Sequence, residues 1–296
     1  MINFKTINME IKKASKQEAK LRIGLSGASG FGKTYSGLML AYGMTGDWSK
    51  ICVIDTENSS SSLYSNLGNY NVIDLQAPYN PEKFIDAIYL CEKSDIEIII
   101  IDSISHEWQG KGGCLEIHEQ LGGRWQDWAK VTPRHQAFID AILQSKCHVI
   151  TCVRRKTEYS LDTDSNGRMK VTKLGTKEQT RENFEFELTV NFEIINENHL
   201  SKASKDRTGL FMNKPEFIIN SSTGKKLISW SKNTITKSEL QQKIIECVTI
   251  KELTELYNNN LDMAKTVEQD FVEKKNLLQN LTSNIYKNGT TYPQSN

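Results

Sequence analysis

One stretch, GLSGASGFGKTYSG at residues 24–37, restricts the fold more than any other part of the chain. It holds five glycines and three serines, then sets Lys33 beside Thr34. Interior glycine costs about 0.5–1 kcal/mol relative to alanine, so the stretch reads as functional rather than structural filler. It follows a strand-like run, AKLRIGLS, and precedes TYSGLMLAYGM, where Tyr35, Leu38, Met39 and Tyr42 share one helical face. Gly27, Gly32, Lys33 and Thr34 fit the spacing G-x-x-x-x-G-K-[ST] of a phosphate-binding loop between strand and helix. The rival reading is a flexible Gly/Ser turn. In the phosphate-loop reading, Gly27, Ala28, Ser29, Gly30, Phe31, Gly32, Lys33, Thr34 and Tyr35 bind nucleotide. Backbone N–H groups and the helix N-terminus face phosphate oxygens. Lys33 reaches the β- and γ-phosphates and Thr34 holds Mg²⁺.

Further strands are expected at KICVID (50–55), YNVIDL (70–75), IEIIIID (96–102) and CHVITCV (147–153). Helices are expected between them. One carries Phe84, Ile85, Ile88 and Tyr89 on one face after Pro81; another starts with Thr132 as N-cap and Pro133 in its first position. Such alternation predicts an α/β fold with a mainly parallel sheet and helices on both faces. Beyond it, Asn166-Gly167 reads as a hairpin turn. FEFELTVNFEI reads as a half-buried antiparallel strand, the start of an antiparallel β extension. After Trp230, Thr236-x-x-Glu239 and Thr249-x-x-Glu252 are two capping boxes ahead of apolar residues at helical spacing, a small helical C-terminal appendage. The expected division is an N-terminal segment at 1–19, a core at 20–232 and the appendage with a frayed tail at 233–296.

Composition narrows the setting. The six cysteines are scattered, with no C-x-x-C pair, which argues against a zinc site or a disulfide scaffold. His106, His118, His135, His148 and His199 show no metal spacing and receive no ligand role. The first residues lack the apolar run of a signal peptide, and IEIIII is far too short for a membrane span. A cytoplasmic protein with no membrane partner is expected. The formal net charge of +1 provides no global field for nucleic acid, so any such contact needs a local patch.

Asp102 ends the isoleucine run, where a carboxylate supports Mg²⁺ opposite the phosphate loop. Glu57, in VIDTENSSSS after the next strand, is placed to polarise an attacking water; the rival is an exposed loop acid. Lys33, Asp102 and Glu57 form the expected catalytic set, with ATP and Mg²⁺ as cofactors. Asp102 is followed by Ser103, not by the glutamate that many P-loop ATPases place there.

The phosphate loop, IDTE on the next strand and IIIIDS together resemble the RecA-like ATPase core. IIIIDSISHEWQG, HVITCVRRKTEY, KDRTGLF and TGKKLISW resemble bacteriophage AAA/RecA-like ATPases, some of them Sak-type single-strand annealing proteins. The resemblance covers roughly residues 20–232. It implies ATP hydrolysis, stimulation by single-stranded DNA, a homo-oligomer, a single-strand-binding protein as partner and a bacterial host cytoplasm. It also implies a γ-phosphate sensor at Arg154 or Arg155, where RecA itself has glutamine. DNA loops then correspond to two regions. One is the glycine-rich segment with Trp108, Trp125 and Trp128. The other is residues 154–177, with seven basic against three acidic side chains, including Arg168, Lys170 and Lys173. Lys177, Arg181 and Arg207 are candidates for a basic residue inserted into a neighbour's site. Two other classes stay open: a small-molecule or nucleotide kinase, and an ATP-dependent loader or packaging switch acting through a protein partner.

Overall fold

The structure, a computed structural model, describes residues 19–163, 169–181, 184–232, 237–258 and 260–287; residues 157–177, 261–262 and 281–287 are described by backbone alone. Its apolar runs become central strands. β1 (Arg22–Gly27), β2 (Ile51–Asp55) and β4 (Ile98–Asp102) are buried along their whole length, as expected of parallel strands covered on both faces. With β3 (Asn71–Asp74), β5 (His148–Thr163), β6 (Met169–Glu178), β7 (Val190–Ile194), β8 (Leu200–Asp206) and β9 (Phe217–Ile218), they form one sheet in the order β3-β2-β4-β5-β1-β7-β8-β9, with β6 paired to β5. Strands β3 to β7 along this order pair in parallel; β8 and β9 add in antiparallel fashion. One strand, β5, therefore lies between the phosphate-loop strand and the Asp102 strand.

Helices cover both faces. Cys52, Ile54, Ile99, Ile101, Val149 and Val153 pack under α2 (Pro81–Lys93) and α5 (Trp128–Gln144), where Phe84 and Phe138 meet at 5.2 Å between ring centroids. Each such buried side chain contributes about 1.5–3 kcal/mol. On the other face, α1 (Lys33–Thr45) crosses α7 (Ser221–Ser231) at Gly43 and Gly224. A Cβ on Gly43 would lie 2.0 Å from the Ser221 carbonyl oxygen, and one on Gly224 would lie 2.1 Å from that of Leu40. Only hydrogen at both sites allows the approach.

Beyond the sheet, β5 continues as one arm of a hairpin with β6, from Arg155 opposite Glu178 to Thr163 opposite Met169, with a register shift between Glu158 and Tyr159. Asn166-Gly167, Arg168 and Asp164 lie outside the described residues.

Several elements differ from the sequence expectation. α5 begins at Trp128 and carries Pro133 inside it. The extra turn is recruited by the 3₁₀ turn Trp125–Asp127 and by Trp128 stacking on Trp108 and His118. Phe184–Glu187 is a helical turn, α6, with Phe186 57 % exposed, so β7 starts only at Val190. β7 is also a central strand beside β1, with Asn191 as buried as Phe192. Tyr35 and Tyr89 face outward; α1 buries Gly37, Leu38, Leu40, Ala41 and Met44 instead, and α2 buries Ala87 and Cys91 beside Phe84 and Ile88. Residues 221–231, where the spacing marks no helix, form α7.

The chain divides into two compact units, with the boundary between Ile228 and Ser229. The second contains α8 (Lys237–Glu246), α9 (Ile250–Asn258), α10 (Leu261–Ala264) and α11 (Glu268–Lys287). Leu240, Ile244, Leu253, Val267 and Phe271 form its core, while Ile245 faces solvent. The capping box at α9 is formed: the Glu252 N–H donates to Thr249 Oγ1 at 3.2 Å, and the Thr249 N–H donates to Glu252 Oε2 at 3.3 Å. Thr236 lies outside the described residues. No described helix is long and apolar enough to cross a membrane.

Candidate nucleotide site

The parallel register brings the C-terminal ends of β2 and β4 level with Cys152 of β5. Asp55 pairs with Asp102, and Asp102 with Cys152. The loop from β1 to α1 rises beside them. Gly30 and Gly32 take left-handed φ values of 83° and 84°, which side-chain-bearing residues rarely adopt. Gly32 caps α1, so Lys33 and Thr34 form the helix start and their amides point into the loop.

Lys33 is buried, and its Nζ donates to the carbonyl oxygens of Gly27 at 3.1 Å and Ala28 at 2.9 Å. The ammonium is thus stored over the loop by acceptors that phosphate oxygens can replace. Thr34 Oγ1 donates to Asp102 Oδ2 at 2.5 Å. Burial pushes the Asp102 carboxyl up from 3.8 to about 6, only partly offset by the Thr34 hydroxyl. The Lys33 ammonium and the Thr34 hydroxyl do not make up for burial and for the neighbouring Glu57 and Asp55 charges. Together with the neighbouring hydroxyl, the carboxylate is a hard oxygen pair of the type Mg²⁺ takes, so the residues present fit that ion.

Asp55 has a different task. Its two carboxylate oxygens accept the backbone N–H groups of Glu57 and Ser61, each at 2.7 Å. This ties down the tight turn through Asn58 and Ser59, both at positive φ, and sets Glu57 at the cleft. Thr56 locks that turn to the Asp102 strand: its N–H donates to the Asp102 carbonyl at 2.8 Å, and its hydroxyl accepts the Ser103 N–H at 2.8 Å. The Asp102–Ser103 peptide bond is cis. His106 Nδ1 lies 2.7 Å from the Thr56 hydroxyl, and burial followed by the Arg154 charge pulls its pKa down.

Glu57 is bound by Arg154, whose Nε donates to Oε1 at 2.8 Å. The Arg154 N–H is itself fixed on Ser105 Oγ at 3.0 Å. Arg155 points to the other face of the strand, with Nη1 3.5 Å from Glu193 and 3.8 Å from Glu178. Of the two sensor candidates, Arg154 is therefore the one beside Glu57.

Glu57, but not Arg154 itself, lines a cleft of about 450 Å³. Lys33, Thr34, Asp102 and Glu57 form its polar end; Tyr35, Leu63, Tyr64, His199 and Ile218 form a more apolar end. Tyr35 and Tyr64 meet edge to face at 5.8 Å, and His199 Nδ1 lies 2.9 Å from the Phe31 carbonyl. A triphosphate suits the first end and a flat base the second. The sequence reading missed Leu63, Tyr64, His199 and Ile218. They come from a 3₁₀ turn, the β7–β8 loop and β9, and no spacing marks them.

The remaining candidates are dispersed. Trp108 is half-buried, stacked on Trp128 at 5.6 Å, with His135 against it edge-on at 5.1 Å. Trp125 is 89 % exposed, on a turn braced by Arg124 Nε donating to Asp127 Oδ2 at 3.0 Å. Lys170, Lys173 and Lys177 lie on β6 opposite Asp162, Tyr159 and Lys156, in backbone only. Arg181 is half-buried, and Arg207 donates to the Phe186 carbonyl at 2.8 Å. Another group that the sequence reading did not assemble is Glu107, Cys114 and His135, buried together behind the Asp102 turn.

A family model described as an AAA domain matches residues 19–234, from the start of β1 past the end of α7. The chain belongs to this AAA domain family. The chain is accordingly an AAA-type P-loop ATPase, a nucleotide-binding protein with ATPase activity. No curated protein matches the chain.

Proposed function

We propose that this AAA-domain protein hydrolyses ATP with Mg²⁺ and couples hydrolysis to single-stranded DNA in phage-type recombination or strand annealing. The observation that carries the hydrolysis reading is the Glu57 carboxylate, held at the polar end of the cleft by Arg154 at 2.8 Å. Lys33 exchanges its carbonyl partners for phosphate oxygens. Arg154 shifts its fork from Glu57 to the terminal phosphate, a charge-assisted contact. Glu57, released, accepts the proton of the water that attacks that phosphate. Thr34 and Asp102 would hold Mg²⁺, whose charge when bound offsets that of the phosphates.

The DNA part is supported by the exposed Trp125 ring and by the basic excess at 154–177. Aromatic faces stack on unpaired bases, and basic arms follow their phosphates. A homo-oligomer on DNA, with Lys177, Arg181 or Arg207 reaching a neighbour's site, completes the reading, and a single-strand-binding protein is a further partner. The test is ATP turnover measured with and without single-stranded DNA, with Lys33→Ala as the folded, inactive control. Stimulation by DNA supports the reading. Phosphoryl transfer to a small acceptor with no DNA response replaces it with a kinase.

A further inference from the structure

Glu107, Cys114 and His135 lie on three different helices, α3 (Ser105–Gln109), α4 (Cys114–Gln120) and α5. All three are buried, and their ligand-type atoms lie within 4.8 Å of one another. Cys114 Sγ is 3.0 Å from Glu107 Oε1, and His135 Nδ1 is 3.0 Å from both carboxylate oxygens. The backbone is shaped to bring them together. Gly113 lets the chain double back so closely that a Cβ there would lie 2.6 Å from the Glu107 carbonyl oxygen.

As a set of protonated partners the triad is poor. Among the described residues a fully buried carboxylate has as hydrogen-bond partners a thiol, a weak donor, and one ring nitrogen shared between its two oxygens. Buried carboxylates require fuller compensation than that. We infer that Glu107, Cys114 and His135 form a closed site for a divalent transition metal of the zinc type.

The chemistry fits on three counts. One sulfur, one imidazole nitrogen and a carboxylate are the donors zinc takes, at about 2.0–2.3 Å each. A chelating Glu107 brings the donor atoms to four, the number a closed structural site uses. The charges also cancel: thiolate and carboxylate against a divalent cation, with imidazole neutral, leave no net charge in a dry pocket. Metal entry releases the Cys114 thiol proton to solvent. His135 turns from donor to ligand at Nδ1, with its ring proton on Nε2. The soft sulfur and the nitrogen disfavour Mg²⁺ and Ca²⁺. The bound ion joins all three helices between β4 and β5, and so fixes the Trp108–Trp128 stack, whose Trp108 ring lies on His135.

The test uses the full chain. Metal content of protein purified without chelator is read by mass spectrometry after dialysis against zinc and then against metal-free buffer. Retention of one zinc per chain is expected. Metal-stripped protein is then titrated with Co²⁺ alone. A tetrahedral thiolate site yields a sulfur-to-cobalt charge-transfer band and visible ligand-field bands. Cys114→Ser should abolish the charge-transfer band, and Lys33→Ala should leave it intact. Where Cys114→Ser fails to fold, X-ray absorption of the zinc-loaded wild-type chain decides, with one sulfur among nitrogen and oxygen ligands expected. Retention of no zinc, a band that survives Cys114→Ser, or a shell with no sulfur or with sulfur only each overturns the site and leaves a hydrogen-bonded triad.

Discussion

Arg154 and Glu57 are paired at the polar end of the cleft beside Lys33, with Nε and one terminal guanidinium nitrogen both 2.8 Å from the same carboxylate oxygen. One residue ends the β5 segment inside the sheet, and the other sits on the turn after β2. While the pair is closed, that carboxylate oxygen is occupied by the guanidinium.

Arg154→Ala tests whether the pair is more than an ion pair at the rim. If the guanidinium moves to the terminal phosphate, its loss removes a charge-assisted contact of about 1.5–3 kcal/mol. ATP affinity should then drop about 10- to 100-fold, with ADP affinity nearly unchanged. Arg154→Lys should recover little, because an ammonium lacks the planar fork. Calorimetric titration with the two nucleotides reads the difference. Equal affinities for ATP and ADP in wild type and variant alike would remove Arg154 from the phosphate site.

Glu57→Gln keeps the size of the side chain and its place on the Asp55-anchored turn. Nucleotide affinity should persist, while turnover falls about 10²–10⁴-fold, the usual loss on removing a general base. Single-turnover hydrolysis separates the two quantities. An unchanged rate would mean that another group activates water.

Asp102 makes stability and function oppose one another. Its folded-state pKa, about 6, is above the ordinary 3.8. The native state therefore holds this proton more tightly than the unfolded chain does. The stability it contributes is complete below about pH 4 and is lost as pH rises through about 6. Without Mg²⁺, Asp102→Asn should be more stable than wild type near pH 7, by on the order of 2–3 kcal/mol. The advantage should shrink toward about pH 4–5, where wild type also carries the proton. The variant should hydrolyse little ATP at any pH. Denaturant midpoints across this range check the sign, and parallel curves for the two proteins would refute it.

How much of this was legible in the sequence depended on range. The phosphate loop, the isoleucine strand and the Thr249–Glu252 cap are local patterns, set by backbone freedom, burial and a hydrogen bond three residues apart. Each formed where its spacing placed it. The choice between Arg154 and Arg155 was not local. It turned on which face of β5 meets the turn after β2, and only the sheet order decides that. The start of α5 was misplaced at Pro133 because the signal for the earlier turn is the stacking of Trp128 on side chains from α3 and α4. Alternation in FEFELTVNFEI was true of burial at Phe184, Leu188, Val190, Phe192 and Ile194, yet Phe184–Glu187 coils, since no neighbouring strand pairs there. Glu107, Cys114 and His135 have no short spacing at all, which is why a search for paired ligands passed over them.

The DNA reading makes its two contacts separable. Trp125 sits on a turn fixed by the Arg124–Asp127 pair, so truncating it removes a ring without loosening the loop that presents it. Stacking on an unpaired base contributes about 1–3 kcal/mol, so Trp125→Ala should weaken single-stranded DNA binding about 5- to 150-fold. An uncharged ring releases no counterions, and the salt dependence should stay as it was. Changing Arg168, Lys170 and Lys173 together to alanine should do the converse. Each phosphate neutralised on a single strand adds about −0.7 to the slope of log affinity against log salt, so losing three flattens it by about two units. ATP binding should survive both changes, because neither touches Lys33, Thr34 or Arg154. Fluorescence anisotropy of a labelled oligonucleotide over a salt series reads affinity and slope at once. If the triple variant keeps the wild-type slope, the phosphate contacts lie elsewhere than the β5–β6 hairpin. If Trp125→Ala keeps the wild-type affinity, its exposed ring stacks on no base. A wild-type protein that binds no DNA with or without nucleotide retires the recombination reading and leaves the ATPase to act on another partner.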